Sequence, residues 1–195
     1  DVMMAGRYSC VDLAGVALGS SVMWPVVILM MGLIQAVTPT VAQLNGAKDY
    51  AEIGEVIRQG LWMGFIGGLL GSLVLFNIAP LYGLADVDPA AAAVPIEYLN
   101  MIARGLPALA CFFCLRYLCD GTGFTHAALV IAAIALLLKI PLNYVLIYGR
   151  FGFPELGGVG CGVAHAIIMW AQLLLILVVV TRKRFGYTKW MSKIS

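Results

Sequence analysis

Four polar or ionisable side chains stand in or beside apolar stretches, where they are suited to ion chemistry: Asp1, Lys139, Asn143 and His165. Lys139 lies near the middle of an apolar run over 127–148, and Asn143 follows one helical turn later on the same face. Placing a lysine at the centre of a bilayer costs about 2.5–3.5 kcal/mol. Ionisable groups at such positions indicate either the handling of an ion or proton, or a polar contact that fixes helices together.

The four residues are predicted to lie at a similar depth. Counting 1.5 Å per helical residue places them roughly 8–15 Å below one membrane surface. Two interpretations follow. In the first, Asp1 exchanges a cation or a proton, and its neighbours tune its affinity. In the second, Asp1 and Lys139 form a structural ion pair, while Asn143 and His165 make hydrogen bonds between helices.

Three further polar residues are candidates for lining a cavity. Gln35 and Thr38 are three residues apart and so share a helix face. Arg104 either faces a water-filled cavity or extends towards the membrane surface. We find no nucleophile–base pair and no metal-ligand cluster in the sequence, so no catalytic site, no metal and no organic cofactor are predicted.

The composition determines which elements must carry these residues. Hydrophobic residues make up 62% of the 195 residues, charged residues 11%, and the mean hydropathy is +0.97. A soluble enzyme has about a quarter of its residues charged, so that class is excluded. A net charge of +2 gives no basic surface for nucleic acid. We therefore predict an all-α, polytopic transmembrane helical bundle.

Five apolar stretches approach or exceed the roughly 20 residues needed to cross a bilayer. They are predicted as helices over about 11–44, 60–82, 98–119, 127–148 and 157–181. The first is too long for one straight span, and Pro25 and Pro39 are expected to kink it. Gly64 with Gly68, and Gly67 with Gly71, form two small-residue pairs that favour close helix packing.

Lysine and arginine counts predict the orientation. The segment 182–195 is a basic tail and is placed in the cytoplasm, which also makes the 45–59 and 120–126 connections cytoplasmic. Five spans then put residues 1–10 at the outer boundary, with Asp1 on the end of an earlier helix. The whole chain, 1–195, is predicted to be one transmembrane lobe of six helices in which most of helix one is missing.

Several motifs resemble one family of membrane transporters. They are DVMMAGR at 1–7, TPTVAQLNGA at 38–47, RQGLW at 58–62, IPLNY at 140–144 and PELGGVGCGVA at 154–164. In order and spacing they resemble the multidrug and toxic compound extrusion (MATE) family, in its NorM-like bacterial branch. The resemblance covers nearly the whole chain.

The resemblance implies a secondary antiporter of twelve helices in two lobes. Members export cationic drugs and other toxic organic compounds in exchange for protons or sodium ions, so an ion gradient takes the place of a cofactor. The chain would be the N-terminal lobe of a multi-pass protein of the bacterial inner membrane, and its partner would be the missing C-terminal lobe. Two alternatives remain: a lipid-linked oligosaccharide flippase of the same superfamily, and a helical membrane scaffold subunit that transports nothing.

The resemblance also suggests residue roles. Asp1 matches the family's acidic residue on helix one, which is proposed to bind the coupling ion, and Asn143 matches a polar or acidic position of the same cluster. Three positions depart from the family: relatives usually have Asn at Lys139, commonly Thr at His165, and an apolar or aromatic residue at Arg104. A lysine ammonium would repel sodium and favour ionised Asp1. This favours proton coupling, with His165 as a candidate titrating partner, but leaves the coupling ion open.

Overall fold

The computed structural model describes residues 6, 9–84, 89–149 and 155–181. Asp1 and the basic tail 182–195, both prominent in the sequence-based predictions, lie outside the described residues. The described part of the chain is helical and contains no strand, which confirms the predicted all-α class.

Eight helices make up this part of the chain. They are α1 (Cys10–Ile34), α2 (Val37–Ala47), α3 (Tyr50–Phe76), α4 (Ala79–Leu84), α5 (Pro89–Ala103), α6 (Leu106–Gly121), α7 (Thr125–Tyr148) and α8 (Gly157–Thr181). Four segments are long and apolar enough to cross a membrane when α1 and α2 are taken together, and a fifth is the bent pair formed by α5 and α6. The last two predicted runs, 127–148 and 157–181, coincide with α7 and α8 to within two residues.

The first predicted run, 11–44, is the pair α1 and α2, and it is interrupted at Gln35 and Ala36. Pro25 lies inside α1 without ending it. The interruption instead falls just before Pro39, since a proline ring clashes with the carbonyl group four residues earlier, here that of Gln35. Of the two prolines expected to distort this segment, only Pro39 stands at a break.

The second run differs from its predicted range of 60–82. α3 begins ten residues earlier, where the Asp49 side chain accepts a hydrogen bond from the backbone N–H of Glu52 at 3.2 Å. It ends at Asn77, which donates through its side chain to the Leu73 carbonyl at 2.9 Å. The hydropathy pattern predicted only the apolar part of α3, because the first turns of this helix carry charged residues. The predicted range also extended past the end of α3 into α4.

The third run, 98–119, is not one straight span as predicted. α5 and α6 meet at Arg104 and Gly105 with a bend of 50°. Pro107 supplies no backbone N–H to the Ala103 carbonyl, and its ring crowds that group, so the helix cannot continue. α6 lies at the centre of the bundle, packs against α2, α3 and α8, and buries most of its residues.

Glycines allow α3 to approach α6 closely. An added Cβ at Gly68 would lie 2.6 Å from Pro107 Cα, and one at Gly64 would lie 3.3 Å from the Ala110 carbonyl oxygen. A Cβ at Gly67 would meet nothing within 4 Å. The 64/68 pair therefore faces α6, whereas the predicted pairing of Gly67 with Gly71 does not form.

Candidate functional site

A polar contact joins α7 and α8 inside the bundle. Lys139 Nζ lies 3.2 Å from His165 Nδ1. Asn143, one turn along α7 from Lys139, is 2% exposed. The sequence predicted that these three residues share a depth, and the structure brings Lys139 and His165 into direct contact.

The contact limits how much charge the pair holds. If lysine is an ammonium, it donates to Nδ1 of a neutral imidazole, whose remaining proton then sits on Nε2. Two positive charges 3.2 Å apart would repel each other strongly. In this geometry the pair therefore holds at most one positive charge.

The predicted partner of this pair, Asp1, lies outside the described residues. Its proposed contact with Lys139 stays a prediction. The described residues that start α1 and α8 do come together, since an added Cβ at Gly158 would lie 3.1 Å from Asp12 Oδ1. The Asp12 carboxylate thus sits against the N-terminal turn of α8, where the helix dipole favours a negative charge.

Arg104 is exposed and stands at the break between α5 and α6, apart from the Lys139–His165 contact. Its backbone carbonyl accepts a hydrogen bond from Trp170 Nε1 at 3.3 Å. The neighbouring Ala103 carbonyl accepts one from Ser72 Oγ at 2.6 Å. Two carbonyl groups freed by the break are thus bonded by side chains of other helices. The sequence-based prediction did not identify Ser72 and Trp170. The signal for them was Pro107, which has no backbone N–H and therefore leaves a carbonyl group in need of another donor.

Gln35 and Thr38 border an open groove of about 560 Å³, and their predicted place on a transport pathway stays a prediction. The opposite wall comes from the last turns of α6 and includes Tyr117 and Asp120. Asp120 Oδ2 lies 3.8 Å from Arg116 Nε. Sequence reasoning did not select Tyr117 or Asp120 as cavity residues.

Thiols and acidic groups do not gather into a metal site in the described ranges, where no three His, Cys, Asp or Glu side chains converge. Cys111 and Cys114, which have the spacing of half a zinc site, lie on α6. Cys114 is buried, and its Sγ is 3.9 Å from the Ile57 carbonyl oxygen of α3. It serves helix packing.

Comparison with known proteins decides the family. The family model described as MatE matches residues 1–145. The chain belongs to the MATE family. It is 42% identical over 185 residues to the multidrug resistance protein MdtK of Yersinia pestis (strain Pestoides F), and equally to that of Yersinia pseudotuberculosis serotype O:1b (strain IP 31758). Each alignment covers 94% of this chain and 40% of the relative, so this MATE chain spans about two fifths of their length.

Solved structures confirm the MATE fold. The eukaryotic MATE transporter AtDTX14 superposes with a TM-score of 0.87 over 96% of this chain and 41% of its own, at 20% identity. The MATE transporter NorM-NG, solved in complex with R6G and a monobody, is 33% identical and covers 92% of this chain and 39% of its own, with a TM-score of 0.63. The predicted membership of a NorM-like MATE family is confirmed.

Proposed function

We propose that this MATE-family chain forms one lobe of a secondary antiporter, not an enzyme, that exports organic cations across the bacterial inner membrane. The observation that carries this proposal is the 42% identity over 185 residues to proteins named for multidrug resistance. Because the chain spans two fifths of their length, the second lobe is part of the proposal. Transport by alternating access requires two lobes that rock against each other.

The coupling site is proposed to be Asp1 together with Lys139, Asn143 and His165. Asp1 gives up its proton when the site faces the cytoplasm, and a proton taken up from outside shifts the protein to the state that releases the drug. Each ligand must favour a different state for the two fluxes to be coupled. The basic segment 182–195 is proposed to lie on the cytoplasmic side, as positive residues near span ends do.

The Lys139–His165 contact supports proton coupling over sodium coupling. A lysine ammonium beside the acid supplies a positive charge that sodium would otherwise bring. A second cation entering the same low-dielectric site is repelled. A proton, in contrast, neutralises Asp1 without needing a coordination shell of its own.

Dye efflux by cells that carry the complete gene tests the function. Asp1→Asn is expected to reduce efflux of ethidium to the level of cells without the gene, while the protein stays folded in the membrane. Asp49→Asn is a matched control, because asparagine is an equally good N-cap and Asp49 lies away from the proposed site. Undiminished efflux by Asp1→Asn would contradict the role of Asp1. If the unsubstituted protein gives no efflux, it acts as a scaffold and the antiporter proposal fails.

The coupling ion is tested by Lys139→Asn, which restores the residue usual in the family. If the ammonium excludes sodium, this variant should acquire sodium-stimulated efflux that the unsubstituted protein lacks. Efflux is measured in everted vesicles at fixed pH with sodium or potassium chloride. An identical response to both salts before and after the substitution would refute the exclusion.

A further inference from the structure

A second feature of the bundle is the groove beside Asp120. Three segments form it: the end of α1, the start of α2 and the last turns of α6. It exists because the helix breaks at Gln35 and Ala36, ahead of Pro39, and the small residues Gly32 and Ala36 leave space along the wall. It is a largely open groove of about 560 Å³, which would leave one side of a bound molecule uncovered.

The lining has the chemistry of a site for an organic cation. Asp120 supplies a carboxylate whose side chain is 26% exposed. Tyr117 also lines the groove, but only with the 8% of its surface that is exposed, because its ring stacks on Phe113 with ring centroids 6.1 Å apart. Gln35 and Thr38 add hydrogen-bonding groups on the opposite wall. A carboxylate among small apolar residues, beside the exposed part of a tyrosine, favours an organic cation over an anion.

We propose that this groove is a capture site on the cytoplasmic side, where an aromatic organic cation binds before it reaches the coupling site. The proposal rests on the proposed export function for its orientation and its ligand class. Asp120 binds the charge of the ligand, and Tyr117 contacts its ring. Its lining includes none of Lys139, Asn143 and His165.

Arg116 sets the affinity of the groove. Its Nε–Oδ2 distance to Asp120 is 3.8 Å, at the long end for an ion pair, and its side chain is 42% exposed. At this distance Arg116 Nε, which is itself buried, makes no hydrogen bond to the carboxylate, so the pair is weak. An incoming cation therefore competes with Arg116 for the carboxylate, and the substitutions Asp120→Asn and Arg116→Gln should change binding in opposite directions.

Thiol labelling in the complete gene product tests the site without relying on transport. Thr38→Cys is introduced, and inside-out vesicles are treated with the cationic reagent MTSET, with ethidium as the ligand. Ethidium should slow the modification, and the concentration needed should rise about three- to five-fold in Asp120→Asn and fall by a similar factor in Arg116→Gln. Asp49→Asn should leave it unchanged. The protein without Thr38→Cys reports the reaction of the native cysteines, and Gln35→Cys serves as a second reporter should Thr38→Cys fail to fold.

The outcomes separate the capture site from the export function. Failure of ethidium to protect either reporter, or equal protection with and without the Asp120 carboxylate, would overturn the capture site even if dye efflux is normal. A reporter that MTSET cannot reach from the cytoplasmic face would overturn it as well. Protection that depends on Asp120 in a protein that exports no dye would support the site and contradict the export function.

Discussion

Two helix breaks, each just ahead of a proline, take opposite forms in this molecule. At Gln35 and Ala36 the backbone repairs itself locally: the Thr38 N–H donates to the Gln35 carbonyl at 3.1 Å, and Thr40 Oγ1 donates to the Ala36 carbonyl at 2.9 Å. At Arg104 and Gly105 a local backbone bond also forms, from the Gly105 N–H to the Ile102 carbonyl at 2.8 Å, but the carbonyl groups of Ala103 and Arg104 accept from side chains of α3 and α8.

The difference follows from what surrounds each break. Gln35 and Ala36 are both exposed and border the groove, whereas at the second break only Arg104 is exposed and both Ala103 and Gly105 are buried. A carbonyl group without a partner inside a membrane protein costs several kcal/mol, so the buried break must take donors from its neighbours. Those donors fix α5 and α6 to α3 and α8, while the exposed break leaves room for a ligand.

The largest loss of stability is expected at Gly68 of α3, which packs against Pro107 just after the break at Arg104 and Gly105. Gly68→Ala would place a Cβ 2.6 Å from Pro107 Cα, a backbone atom that cannot move aside. We expect a loss of about 2–3 kcal/mol of stability, seen as a lower apparent Tm in detergent. Gly67→Ala is the matched control, since its Cβ meets nothing within 4 Å. Equal Tm values for the two variants would show that the close contact between Gly68 and Pro107 does not stabilise the protein.

Removing one donor from the buried break should have an intermediate effect. Ser72→Ala removes the one hydroxyl proton that the Ala103 carbonyl shares with the Gly68 carbonyl, and Ser72 is 6% exposed, so water cannot easily replace it. The expected cost is about 1–2 kcal/mol. It is measured as a shift in the unfolding midpoint in mixed detergent micelles. Ser72→Thr, which keeps the hydroxyl, should recover part of the loss. No shift for either variant would mean that the carbonyl has another partner.

The sequence predicted helices well where apolar residues filled the whole span, as in α7 and α8. It placed the start of α3 ten residues late, because Glu52, Glu55 and Arg58 lie in helical turns that hydropathy does not detect. It missed the bend at Arg104 because the run stays apolar on both sides, and only the missing donor of Pro107 marks it.

The helical repeat predicted that Lys139 and Asn143 share a face of one helix. Counting residues from the membrane surface predicted that His165 lies at a similar depth. The contact between Lys139 and His165 also depends on how α7 and α8 rotate against each other, which a single sequence does not encode. The groove was harder still to foresee. Gln35 and Thr38 were selected from their spacing, but Tyr117 and Asp120 are about eighty residues away along the chain.

The smallest effect is expected at the exposed break. Thr40→Val keeps the shape of the side chain and removes only the hydroxyl that bonds the Ala36 carbonyl. Thr40 and Ala36 are exposed and lie close to the 45–59 connection that is predicted to be cytoplasmic, so water can take the place of the hydroxyl, and we expect a change within about 0.5 kcal/mol. The same unfolding assay used for Ser72→Ala measures it. A cost equal to that of Ser72→Ala would mean that both breaks are held equally tightly, and exposure would then not explain why only one of them borders a groove.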